Sequence, residues 1–201
     1  MGFWKNWKGK EHFQTITYHR KLVRQNCFRV GLYRQGLMHD LSKYSPTEFL
    51  VGARYFQGDR SPNNAEREAK GYSSSWLHHK GRNKHHFEYW IDYTLKPGEI
   101  LGGMKMPVHF VVEMFMDRIA ACKVYQKENY TDASPWLYHK QSRRVHVLMH
   151  PDSLRLLERL LKMLAVRGED ETFAYVRKIL RYDRQQRLRE FLHRNEIRKK
   201  R

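Results

Sequence analysis

With two cysteines in 201 residues, the chain has too few to be framed by disulfides. A run of about 18 apolar residues, the minimum for a membrane-spanning helix, occurs nowhere. The opening residues, MGFWKNWKGK, lack the apolar stretch of a signal peptide. Together these absences predict an intracellular, cytoplasmic protein without a membrane span. No segment alternates convincingly with period two, and no hairpin dipeptide separates β-branched runs, which argues against a β-rich fold. Internal repeats are also missing. Acidic residues are scarce, at 21 Asp and Glu against 39 Lys and Arg, for a formal charge of +18.

What is present is enough for a folded core. Hydrophobic residues make up 40% and aromatics 13%, which excludes a disordered chain, and the low mean hydropathy of −0.83 follows from the 30% charged residues. The positive field favours anionic partners: phosphorylated metabolites, nucleic acid or an acidic surface. Residues 181–201 carry nine Lys/Arg against three Asp/Glu, which leaves +12 for the rest, so basicity belongs to the body as well as the tail. The expected division is a helical domain over 1–180 and a basic extension over 181–201.

Helical periods dominate, and the expected class is all-α. Residues 11–25 place Ile16, Leu22 and Val23 on one stripe, with His12 and His19 on the same face. A second helix is expected over 27–39, ending at His39. "YSPTEFLVGARYF" offers Ser45 as N-cap, Pro46 at the first helical position and Glu48 three after the cap. Residues 58–75 are rich in Gly, Pro, Asn and Ser and read as a long surface loop with room for a short helix. Further helices are expected over 85–93, 108–126 and 153–168, with Gly168 as a stop, and a last one from 171.

Four of the chain's twelve histidines lie in "LHHKGRNKHHFEYW" as the pairs His78–His79 and His85–His86. His39 and Asp40 are adjacent in "LMHDLSKYSP", and His19 lies on an earlier helix. Asp117 is out of place. Its helical neighbours are Phe110, Met114, Ala120, Ala121 and Val124, with Glu113 the one polar exception. An unpaired carboxylate facing a core costs several kcal/mol. Either a metal ion or an Arg or Lys should meet it.

The order His19, His39–Asp40, the histidines of 78–86, then Asp117 resembles the ligand order of the HD-domain superfamily of helical metalloproteins, mostly phosphohydrolases. "HDLSK" is similar to the His-Asp-x-x-Lys signature of several subfamilies, and the full pattern resembles the dinuclear branch. That branch includes cyclic-dinucleotide phosphodiesterases and mixed-valent diiron oxygenases; the Gly-Tyr-Pro signature of the former is missing. "GLYRQGLMHDLSKYSPTEF" and "WLHHKGRNKHHFEYW" are also similar to an uncharacterised bacterial family of unknown function. The resemblance implies an HD-like helical bundle holding one or two divalent transition metals (Mn, Fe, Zn or Co). It implies His19, His39, Asp40 and Asp117 on one ion, with Asp40 bridging to a second held by His79, His85 and His86.

His78, Glu88 and Asp92 are then candidates to orient those ligands. Asp40 and Lys43 are the catalytic candidates, and Lys43, Arg20, Lys80, Arg82 and Arg118 the candidates for anionic oxygens. The function expected is hydrolysis of a nucleotide or other small phosphorylated compound. Two alternatives use the same features: an iron oxygenase on the same ligands, or a basic nucleic-acid-binding protein without turnover. The tail offers an accessory nucleic-acid contact, and the apolar helices leave room for a homodimer.

Overall fold

The computed structural model describes residues 7–199; at 143–145 and 196–199 it describes the backbone alone. The extreme ends of the two expected units, 1–6 and 200–201, lie outside the described residues. The elements are α1 (Gly9–Arg29), α2 (Tyr33–Met38), α3 (Pro46–Tyr55), α4 (Pro62–Lys70), α5 (Ser74–Lys80), β1 (Ile91–Tyr93), β2 (Leu101–Gly103), α6 (Val108–Gln126), α7 (Ser134–Gln141) and α8 (Pro151–Lys199). The class is all-α, as the periodicity implies. No helix among the described residues is long and apolar enough to cross a membrane.

The apolar run of α6 dictates the architecture. Val111, Val112, Met114, Phe115, Met116, Ile119 and Ala120 are all buried, and a helix that is hydrophobic on every side belongs at the centre of a bundle. α1 packs on one side of α6 and α8 on another, while α3 bridges α1 and α5. Val23 and Cys27 of α1 and Leu157, Leu160, Leu161 and Leu164 of α8 complete the core. The consequence for chemistry is placement: α1, the turn after α2, α5 and α6 all bring polar side chains to one cluster.

Two local expectations change and two are met. The helix expected over 27–39 is two helices, because Gly31 takes φ +83 and turns the chain between α1 and α2. The polar stretch 58–75 contains a regular helix, α4, anchored by the buried carboxylate of Glu66, which accepts hydrogen bonds from Ser73 and Ser74. No α-helix forms over 85–93. A short 3-10 turn (Phe87–Trp90) leads directly into β1, which pairs antiparallel with β2, Asp92 opposite Gly102; Ile91 and Tyr93 favour that extended pairing. Gly168, non-helical at φ +74, ends one helix as expected, and α8 resumes beyond it as a second helix across a kink. The helix continues past residue 180 to Lys199.

Candidate metal centre

His39 and Asp40 follow the C-terminus of α2, where carbonyls run out of helical partners. Arg20 of α1 fills that role, donating from Nε to the His39 carbonyl at 2.7 Å and from Nη2 to that of Leu37 at 3.0 Å. The next residue, Asp40, adopts φ +54, the left-handed region that non-glycine residues occupy only when their surroundings hold them there. Its side chain is fully buried. A strained backbone carrying a buried carboxylate points to a functional position.

The two oxygens of Asp40 face different groups. Oδ2 lies 3.6 Å from His19 Nε2 and 3.3 Å from His39 Nε2. Asp117 Oδ1 closes that group, 2.9 Å from His19 Nε2 and 3.4 Å from His39 Nε2. Oδ1 lies 3.2 Å from His79 Nε2 and 3.4 Å from His85 Nε2, and His86 Nε2 is 2.9 Å from His79 Nε2. Each of the two groups, His19–His39–Asp40–Asp117 and Asp40–His79–His85–His86, gathers its ligand atoms within 4.8 Å of one another and can hold a metal ion. All seven residues expected as ligands are therefore brought together.

The fit to a cation rests on the unpaired atoms. Nε2 of His19, His39 and His85 and both oxygens of Asp40 are buried and make no hydrogen bond. Buried polar groups are ordinarily satisfied. Two of the five still meet a close ion-pair partner, Asp40 Oδ2 at Lys43 and His19 Nε2 at Asp117; all are imidazole nitrogens or carboxylate oxygens, the donor set that borderline divalent ions take.

Two glutamates fix the imidazoles. Glu113 Oε1 accepts from Nδ1 of His39 at 2.9 Å and lies 3.2 Å from Nδ1 of His85. Glu48 accepts from Nδ1 of His79 at 2.8 Å and of His78 at 2.6 Å. A proton held on Nδ1 leaves the Nε2 lone pair free and aimed inward, the usual outer-shell arrangement at metal sites. His78 thus stands outside the cluster, on Glu48. Burial alone would raise the carboxyls of Asp40 and Asp117. The adjacent imidazoles, joined at Asp40 by Lys43, outweigh it and hold both well below the ordinary carboxylate range.

The candidate anion-holding residues separate. Lys43 Nζ sits 2.7 Å from Asp40 Oδ2 and lines the cavity above the cluster, as does Arg118. Arg20 is committed to the carbonyls beside the cluster, and exposed Arg82 only reaches the His78 carbonyl; Lys80 and Arg82 are outside the cavity wall. Asp92 is exposed on β1 and accepts from the backbone of Tyr93, because the strand turns it away from the histidines. Glu88 lines the cavity, its carboxyl pushed up by burial. The Nδ1 partners expected of Glu88 and Asp92 are instead Glu48 and Glu113. Glu113 has a signal in the sequence, as the lone polar residue on the Asp117 stripe, whereas Glu48 reads there as a helix-start partner. Ser45 receives no side-chain cap bond.

The cavity measures about 810 Å³ and reaches from Asn63 and Arg67 on α4, past the cluster, to Tyr138 and His146. That size suits a small-molecule ligand. Among the described residues the site thus combines a buried ligand cluster, a lysine at its edge and room for a substrate. No curated protein and no solved structure matches the chain. The family model described as "Family of unknown function (DUF5662)" matches residues 8–163, a span that contains every ligand-group residue above, and the chain belongs to that family.

Proposed function

We propose that the protein is a metal-dependent phosphohydrolase of HD type, acting on a nucleotide or other small phosphorylated substrate through a dinuclear centre bridged by Asp40. The observation that carries this reading is the division of labour on one carboxylate, with Oδ2 turned to His19 and His39 and Oδ1 to His79 and His85. A pair of divalent ions supplies Lewis-acid activation of water and neutralises charge on a phosphoryl group. The chain's own residues do the rest. Glu113 and Glu48 hold His39, His85 and His79 in the ligating tautomer. Lys43, a compact ammonium at the edge of the cluster, is placed to hold an anionic oxygen of the substrate.

Metal content of untagged protein, by mass spectrometry beside Asp40→Ala, tests the centre. Mn, Fe, Co or Zn in wild type, lost in the variant, is the expected result. No metal after aerobic and anaerobic reconstitution overturns the reading, and iron as the native metal would redirect it to oxygen chemistry on the same ligands. Lys43→Ala should keep its metal and lose turnover of p-nitrophenyl phosphate; unchanged turnover removes Lys43 from the site.

A further inference from the structure

Arg118 follows Asp117 on α6 but points to different partners. Nη1 donates to His139 Nδ1 at 2.9 Å and Nη2 to His146 Nε2 at 2.7 Å. Both acceptors are imidazoles, and an imidazole nitrogen that accepts is unprotonated. His146 is held in that form, its pKa lowered to about 4 first by burial and then by the Arg118 charge. His139 turns its other nitrogen, Nε2, to Glu158 at 3.3 Å, which leaves the Nδ1 lone pair facing the guanidinium. Two side chains on and beyond α7 thus hold Arg118 without neutralising it.

No carboxylate among the described residues forms a salt bridge with Arg118. Glu158 lies behind an imidazole, and Asp117 is already engaged by His19 and His39. Glu88 and Asp117 act on it only at longer range. Half-buried at the cavity wall and without a bonded counter-charge, this cation is placed to take an anion that enters the cavity. The donors for it are present. Of the five N–H groups on a guanidinium, one goes to each histidine and one lies 4.0 Å from Met114 Sδ. The others have no hydrogen-bond partner among the described residues, and the side chain lines the same cavity as Asp40 and Lys43.

We propose that Arg118, oriented by His139 and His146, forms a second anion subsite, so that the substrate carries a further phosphate or carboxylate besides the group at the metal ligands. In calling that ligand a substrate, this rests on the phosphohydrolase reading; the subsite itself does not. A lone monoester would leave Arg118 unmatched. A compound with two anionic groups engages both ends, and the charge of the guanidinium with its remaining N–H donors suits either oxyanion.

The test is equilibrium binding of orthophosphate, pyrophosphate and tripolyphosphate to the full chain as purified, for wild type, Arg118→Met and Arg118→Lys, with metal content measured on each. The expected result is that wild type prefers at least one of the longer anions over orthophosphate by about 10-fold or more, a difference equal to roughly 1.4 kcal/mol. Arg118→Met should erase that preference with orthophosphate affinity and metal content unchanged, and Arg118→Lys should keep part of it. A wild type without preference overturns the proposal. So does an Arg118→Met protein that keeps the preference, or one that loses orthophosphate binding in equal proportion. The phosphohydrolase reading fails separately: metal and turnover would be missing while the Arg118-dependent preference persisted.

Discussion

Oε1 of Glu113 lies 2.9 Å from Nδ1 of His39 and, through the same oxygen, 3.2 Å from Nδ1 of His85. His39 belongs to one of the two groups that share Asp40 and His85 to the other, and with Glu113 the two histidines form a third close group. One buried carboxylate on α6 therefore sets the tautomer of an imidazole in each, and the two groups share an orienting residue as well as Asp40. Glu48 has no such double role, since of the ligating histidines it reaches His79.

From this asymmetry, Glu113→Ala should weaken metal binding in both groups, by the roughly 10–100-fold typical of outer-shell partners. Glu48→Ala should weaken the group of His79, His85 and His86 and spare the other. Competition with a metal-sensitive chelator resolves the two affinities. Equal behaviour of the two variants would show that Glu113 does not join the groups.

The packing of α2 on α1 carries a second prediction. A Cβ on Gly36 would lie 3.0 Å from Cys27 Cβ and 3.2 Å from the Arg24 Cα, atoms fixed to the α1 backbone. Alanine is the better helix former by about 1 kcal/mol, so local propensity alone would make Gly36→Ala stabilising. The clash opposes it with about 1–3 kcal/mol of overpacking, and since the neighbouring atoms cannot swing aside, the clash should win. A melting temperature lowered by several degrees, with reduced metal content because His39 and Asp40 follow α2, is the expected outcome. A raised melting temperature would mean that α2 shifts freely on α1.

How far the sequence reveals this site depends on residue type. His19 and Asp117 could be picked out because an imidazole and a carboxylate stand on apolar helix faces, where an unpaired polar group is costly; His39, Asp40 and the histidines of 79–86 stand out only through the resemblance of their order to HD-domain ligands. Glu48 could not, because a glutamate three residues after Ser45 fits a capping box equally well, and the histidines it meets lie thirty or more positions away. Asp92 was misplaced for a topological reason. On a helix after the histidines it would share their face, but pairing with β2 makes that stretch a strand and sends the side chain to solvent. Arg20 looked like an anion ligand because its sequence neighbour is His19; only the arrival of α2 shows that it serves carbonyls. The helical class needed none of this long-range information, since it follows from local period.

Glu66, far in sequence from the ligands, supplies a prediction about acid stability. Burial by itself would raise its pKa, but hydrogen bonds from Ser74, Ser73, Lys70 and the Ser75 backbone overcome burial and lower it to about 2. A carboxyl depressed in the folded state contributes stability that is fully present above its unfolded value near 4.5 and is lost as pH falls toward 2. At about 1.4 kcal/mol per pKa unit the contribution is up to roughly 3 kcal/mol at neutral pH. Glu66→Gln, which keeps the shape and removes the charge, should therefore cost most of that amount in urea unfolding at pH 7. The gap from wild type should narrow steadily below pH 4.5 and close near pH 2. A gap of the same size at pH 7 and pH 3 would assign the loss to altered packing of α4 against α5 instead of to the ionised carboxylate.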